Sequence, residues 1–246
     1  MKAIYFIYGV VCYVIFLGVF LYSIGFIGNI YVPKSIDVGG DSMVLEAFIV
    51  NSVLLTLFAV QHAVMARPAF KRWWTRIIPQ PIERSTYVLA TNIVMILLFW
   101  QWRPITDVVW NAENSTAAMV LWGLFVLGWT IVLLSTFMID HFDLFGLKQV
   151  FENLRNTPSR PLTFTKKYFY HLVRHPLMLG FIIAFWAIPI MTVGHLYFAI
   201  MTTAYILVSI KFLEERDLAK QLGEPYKQYQ KEVPMLIPFT KGKIKE

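Results

Sequence analysis

Charge is scarce in this chain. Asp, Glu, Lys and Arg make up 15% of its 246 residues, where a soluble domain of ordinary composition carries about 25%. Cysteine is nearly absent as well, with a single residue, Cys12, inside an apolar run. That excludes an intramolecular disulfide and leaves no cysteine set for a structural zinc. Low-complexity segments and internal repeats are missing too. Acidic residues are the rarer kind, 15 against 22 Lys and Arg. The surplus does not point to nucleic acid, because no basic stripe is interleaved with base-stacking aromatics.

What the chain has in quantity is apolar surface: 57% of its residues are hydrophobic, and its mean hydropathy is +0.58. Such a composition belongs in a bilayer, whose core takes about 20 apolar residues per helical crossing. Runs of that length lie near 4–28, 44–66, 86–102 and 117–139. The first run is too long for a signal peptide and no small-residue cleavage site follows it, so it reads as a membrane helix. The run 177–210 is too long for one crossing and suits two short helices in a tight hairpin. Pro189 then falls inside the first helix, and "VGH" at 193–195 forms the break. The expected fold is all-α: a polytopic membrane helical bundle of about six transmembrane helices, with helices five and six as the hairpin. A charged tail, 211–246, supplies an amphipathic C-terminal helix, and its last residues, "TKGKIKE", read as disordered. The chain is read as one domain, 1–246, with four spans in 1–139 and a polar loop, the hairpin and the tail in 140–246.

Lysine and arginine set the orientation of such a bundle. Six crossings put twenty of the 22 on one side, leaving Lys34 and Arg103 on the other. The expectation is an inner-membrane protein of a bacterium with both termini in the cytoplasm.

The ionisable residues gather at the same boundary. Gln61 and His62 end the second span, and Glu83 and Arg84 precede the third. Asp140, His141 and Asp143 follow the fourth. Tyr170, His171, Arg174 and His175 precede the fifth, and Glu214 and Glu215 follow the sixth. Charges at helix ends often only snorkel to the interface. Four of the five histidines on one boundary, beside two adjacent glutamates, are better explained by a polar site at the cytoplasmic mouth of the bundle. His195, on the other side, reads as a turn residue.

Within "YHLVRHPLMLGF", 170–181, Pro176 suits the first position of a helix, where its missing N–H costs nothing. The free N–H groups of that first turn favour an anion, and Arg174 is suited to clamp a carboxylate in two-point fashion. Gly180 leaves its helix face open to a ligand or to a neighbouring helix. Glu214 and Glu215, placed by the hairpin beside that segment, suit hydroxyls or an ammonium group.

The run "YHLVRHPLMLGF", a hairpin, and "FLEERDLAKQLGEPYKQYQKEVPMLIP" resembles the C-terminal half of the isoprenylcysteine carboxyl methyltransferase family. The family pattern is R-H-P-x-Y-x-G, a hairpin, E-E, then G-E-x-Y-x-x-Y-x-x-x-V-P. It is met here by Arg174, His175, Pro176, Gly180, Glu214, Glu215, Gly223, Glu224, Tyr226, Tyr229, Val233 and Pro234, with Met178 in place of the tyrosine. In the N-terminal half, "QHAVMARPAFKRWWTRIIPQPIERSTYVLATN" and "STFMIDHFDLFGLKQVF" resemble the bacterial methanethiol S-methyltransferases. The resemblance implies an integral membrane enzyme that uses S-adenosylmethionine (SAM) as cofactor, acts on a small volatile thiol, and builds most of its SAM site from 140–246. It implies cofactor binding by His171, Arg174, His175, Pro176, Gly180, Glu214, Glu215, Tyr226 and Tyr229, the two tyrosines covering the adenine.

A thiol attacks as its thiolate, which is a minor species at neutral pH. A base is therefore expected. His141, with Asp143 or Asp140 orienting its ring, is the first candidate, and His62 beside Gln61 is the second. A metal at "DHFD" fits no common spacing and is not expected. Alternatives are a relative acting on an isoprenylcysteine carboxylate or a lipid amine, and a haem-carrying membrane protein with histidine axial ligands. A transporter would place polar groups at midspan, where Asn51 and Asn92 are the main candidates.

Overall fold

A computed structural model of the chain describes residues 1–40, 42–157 and 168–240. Arg160, Lys166, Lys167 and the terminal stretch from 241, read above as cytoplasmic charge and disordered tail, lie outside them. The described residues are helical almost throughout, and five helical stretches are long and apolar enough to cross a membrane: Lys2–Gly28, Val44–Ala66, Gln80–Gln101, Thr116–Ile139 and Val193–Leu222. The protein is an all-α polytopic membrane bundle.

The first helix, α1 (Lys2–Gly28), ends at Asn29, whose left-handed backbone (φ 54) sends its N–H back to the Gly25 carbonyl, a cap that asparagine tolerates. The second, α2 (Val44–Ala66), stops at Arg67 because Pro68 disfavours helical geometry in the residue before it. Pro68 then opens the short α3 (Pro68–Trp74) from its favoured first position. Next come α4 (Glu83–Gln101) and α5 (Thr116–Ile139). Ile4, Ile7, Val11, Val14, Leu21 and their like stand exposed along α1, as expected of a face that meets lipid rather than water.

The fifth crossing departs from the expected helix. After α8 (Pro176–Trp186), 11 residues long, the chain has covered only about 16 Å, short of the ~30 Å core. Pro189 is outside the helix, since it offers no N–H and biases Ile188 away from helical geometry. The chain instead extends into β2 (Ile190–Thr192), paired with β1 (Val108–Asn111). The freed carbonyls find donors, Trp110 Nε1 for Ile188 at 3.2 Å and the Ala112 N–H for Pro189 at 2.9 Å. Irregular backbone at membrane depth survives only with such partners. The break therefore precedes "VGH", and those residues open α9 (Val193–Ser209). His195 N–H donates to Thr192 Oγ1 at 3.1 Å, an N-cap bond.

A second departure concerns the sixth crossing. It runs on from α9 through a π turn, Ile210–Glu214, into α10 (Glu215–Leu222). Glu214 and Glu215 thus sit within one continuous rod instead of at its end. Gly223 (φ 66) then turns the chain into α11 (Glu224–Glu232), the amphipathic tail helix.

The chain forms two compact units. One contains α1 to α4, α6 (His141–Leu144), α7 (Leu147–Arg155) and residues 192–195; the other contains β1, α5, α8 and the chain from 196 onward. In the first unit α4 packs on α1 and α2, and α7 packs on α1. Asn51, wholly buried, ties the outgoing end of α4 by accepting from Arg103 N–H at 2.9 Å and donating to Arg103 O at 2.7 Å. In the second unit α5 and α8 meet across small residues. A Cβ on Gly180 would stand 2.7 Å from Gly128 O, and one on Gly128 would stand 2.6 Å from Ala184 N. Close backbone approach of this kind is the usual way membrane helices associate.

Candidate active site

In the second unit the polar residues converge on one carboxylate. The Arg174 and His175 N–H groups bond the carbonyls of Pro234 (2.9 Å) and Met235 (3.2 Å), so the "RHP" segment is strapped to the end of the tail. The Arg174 guanidinium then grips Glu215 with two bonds, Nε to Oε1 at 2.6 Å and Nη2 to Oε2 at 3.0 Å. Its Nη1 donates to the carbonyls of Gln230 (3.1 Å) and Val233 (2.5 Å). Glu215 also bonds His175 Nε2 at 3.0 Å and accepts from Gln230 Nε2 at 3.0 Å. Four hydrogen bonds thus converge on Glu215, whose side chain is 13% exposed.

Glu214 is placed differently. Its Oε2 lies 3.6 Å from His175 Nδ1, and its side chain is 40% exposed. His175 therefore has a carboxylate on each ring nitrogen. Burial disfavours its charge, but the Glu214 and Glu215 carboxylates, as acceptors, outweigh that and raise its pKa above the ordinary histidine value. Glu214 ends the π turn and Glu215 follows it, and the two neighbouring carboxylates differ in surroundings, one buried in the knot and one open. Such π turns are frequent at functional sites.

The remaining residues expected to bind a cofactor divide. Pro176 is buried at the first position of α8, as expected. Gly180 presents its open face to the α5 backbone. His171 is exposed. Tyr226 and Tyr229 are 3% and 4% exposed and pack with Val233, Leu218, Ala219 and Leu222, joining α10 to α11. Tyr229 OH donates to Tyr170 O at 2.6 Å. Burial raises the pKa of Tyr170, Tyr226 and Tyr229, so all three stay protonated.

In the first unit His141 is 4% exposed, and its Nε2 is 2.7 Å from the Tyr13 hydroxyl. The rings of Tyr13, Phe142 and Phe145 surround it edge-on. Burial lowers its pKa, with only partial compensation by Asp140, so the ring is neutral at pH 7. The carboxylates expected to orient it also have contacts of their own. Asp140 caps α6 by accepting from Asp143 N–H at 3.1 Å and pairs with Lys148 at 2.5 Å. Asp143 accepts from Gln149 at 3.2 Å. At Nε2 the imidazole meets a hydroxyl on α1, and Asp140 acts on it through its charge. His62 is placed similarly, stacked on Phe58 with the Tyr87 hydroxyl 2.9 Å from Nδ1. Among the described residues, no three His, Cys, Asp or Glu side chains gather to hold a metal ion.

Two participants escape a reading of the sequence. Gln230 is one turn from Tyr226 and three residues before Val233, so the 226, 229, 230, 233 spacing marks one helix face. Tyr13, Phe16 and Phe20 form a comparable stripe on α1 and hold Phe142 and Phe145 against it.

Comparison with known proteins gives this arrangement its context. The chain is 54% identical over 232 residues to methanethiol S-methyltransferase 2 of Bradyrhizobium diazoefficiens, covering 94% of this chain and 89% of the relative. It is 52% identical over 233 residues to methanethiol S-methyltransferase of Mycobacterium tuberculosis, covering 95% of each. A more distant similarity, 28% over 188 residues, links it to Nurim of Mus musculus, covering 72% of this chain and 70% of the relative. No solved structure matches. The family model described as NnrU protein matches residues 52–240. The chain belongs to the NnrU protein family and groups within it with the methanethiol S-methyltransferases.

Proposed function

We propose that this integral membrane protein is an S-methyltransferase that moves a methyl group from SAM to methanethiol, forming dimethyl sulfide. The observation that carries the reading is identity of about half the residues, over nearly the whole of both chains, to proteins bearing that name. The working boundary is taken to be the cytoplasmic face of a bacterial inner membrane, with both termini inside, in keeping with the distribution of Lys and Arg.

The donor set of the second unit fits SAM. An open carboxylate, Glu214, stands beside a raised-pKa imidazole, which is what a ligand with hydroxyls and an ammonium group requires. In this reading Glu214 binds those groups. Glu215 and Arg174 fix the position of Glu214 and His175 through the buried knot. The remaining guanidinium N–H and the opening turn of α8 at Pro176 serve the carboxylate. Tyr226 and Tyr229 bear on the site by holding α11 in place. SAM supplies an electrophilic methyl on a cationic sulfur. The protein's part is alignment, which is worth about 7–11 kcal/mol in well-oriented reactions, and formation of the thiolate. His141, neutral at pH 7, is the base, with His62 in reserve.

The test is incubation of purified protein with methanethiol and SAM bearing a trideuterated methyl group. Dimethyl sulfide carrying three deuterons is expected in the headspace. Unlabelled or absent product refutes the reading.

A further inference from the structure

The base proposed above is not itself the accessible group. His141 is 4% exposed and its Nε2 is covered at 2.7 Å by the hydroxyl of Tyr13, a residue that is only half-buried. Any molecule approaching Nε2 therefore meets the phenol first. The phenol is also fixed in place. Its ring packs against Phe16, Phe142 and Phe145 as well as His141, and Phe16 is stacked on Phe145 with ring centroids 3.7 Å apart. The environment is aromatic and poor in polar atoms, which suits a small, weakly hydrated sulfur.

We propose that Tyr13 is a catalytic residue that passes the thiol proton to His141. This rests on the assignment of His141 as the base. With Nδ1 protonated, Nε2 accepts from the Tyr13 hydroxyl. The thiol S–H bond breaks and its proton goes to the Tyr13 oxygen while the phenol's own proton moves to Nε2. The thiol sulfur keeps the electron pair and forms the new bond to the methyl carbon. The pair of the broken methyl–sulfonium bond returns to the donor's sulfur. Tyrosine ends neutral and histidine ends protonated.

Burial works against that final charge, and Asp140 offsets part of the cost. Asp140, the N-cap of α6, acts on His141 by its charge; Asp143 is on α6, Lys148 on α7, Arg84 on α4 donates to Leu144 O, and Lys71 on α3 interacts with Asp143 and Arg84. Lys148 is spent on Asp140 and Arg84 on a carbonyl, and Asp140 favours the imidazolium.

The test compares Tyr13→Phe, His141→Ala and the double variant, measuring dimethyl sulfide formation against pH and the ¹⁵N shifts of the His141 ring. General-base chemistry contributes about 10²–10⁴-fold. Each single variant is expected to lose a share of that order near pH 7 and to recover as the thiolate forms unaided at high pH. The double variant is expected to be no worse than the poorer single one, because the two groups act as a unit. Tyr13→Phe is also expected to move the His141 nitrogen shifts. Full turnover in Tyr13→Phe with loss in His141→Ala overturns the relay and leaves the base standing. Additive losses overturn it too, and full turnover in both singles removes the base and the relay together. 3-Fluorotyrosine at position 13 keeps ring and hydroxyl but makes the phenol more acidic. A shifted pH profile is expected from it, and an unshifted one counts against the relay.

Discussion

Arg174 and Glu215 meet at two points, Nε to Oε1 at 2.6 Å and Nη2 to Oε2 at 3.0 Å, with side chains 7% and 13% exposed. The same guanidinium holds the Gln230 and Val233 carbonyls. One side chain therefore ties the start of α8 to α10 and to the end of α11. Removing one member of a buried ion pair leaves the other uncompensated, at a cost of about 3–5 kcal/mol. Arg174→Ala is expected to lower the thermal unfolding midpoint in detergent and to weaken SAM binding with it. Unchanged unfolding would contradict the anchoring role.

Glu214 is expected to behave differently. It is more open than Glu215, so Glu214→Gln should lower the unfolding midpoint far less than Arg174→Ala, and only by its share of the His175 interaction. Loss of a hydrogen bond to a charged group is worth about 1.5–3 kcal/mol, or about 10–100-fold in SAM affinity by calorimetry. Equal affinity in the variant would move the cofactor contact elsewhere.

The α5–α8 crossing gives a packing prediction. Gly180→Ala places a methyl 2.7 Å from Gly128 O and 2.9 Å from Val132 N, both backbone atoms. Overpacking of this kind costs about 1–3 kcal/mol. A lowered unfolding midpoint with SAM affinity retained is expected, and loss of affinity alone would favour a ligand-facing glycine.

His175 makes stability depend on pH. Its pKa is raised in the folded protein because the Glu214 and Glu215 hydrogen bonds outweigh burial. Its contribution is fully present below the ordinary histidine value of about 6.5 and is lost as pH climbs through the raised value. A series of unfolding midpoints should fall across that window in the wild type, and His175→Gln should flatten the fall. His141 has the reverse shift, lowered by burial, so activity should hold down to below about pH 6.5 before the acid limb begins.

Helices α1, α2, α4 and α5 are legible in the sequence because each is an uninterrupted apolar run of bilayer length. The segment 187–192 is not, because apolar content alone does not distinguish a helix from an extended strand. Pro189 is the residue that decides it, and its effect depends on Trp110 and Ala112, far away in the chain, being present to satisfy the backbone. The clustering of Arg174, His175, Glu214 and Glu215 is legible from their spacing, yet their division of labour is not. Which glutamate is buried is fixed by the partners that cover it, Arg174, His175 and Gln230 on Glu215, and adjacent glutamates do not reveal that choice. Likewise "DHFD" suggests carboxylates beside His141, but not the hydroxyl at its Nε2: Tyr13 is 128 residues earlier and reads locally as one more membrane aromatic.

The central claim concerns the acceptor. Purified protein in lipid nanodiscs, given SAM and an equimolar mixture of methanethiol, an isoprenylcysteine and a phospholipid amine, tests it in one reaction by gas chromatography of the headspace and mass spectrometry of the residue. Dimethyl sulfide is expected as the dominant methylated product. A prenylcysteine methyl ester or a methylated lipid amine, with no dimethyl sulfide, would contradict it.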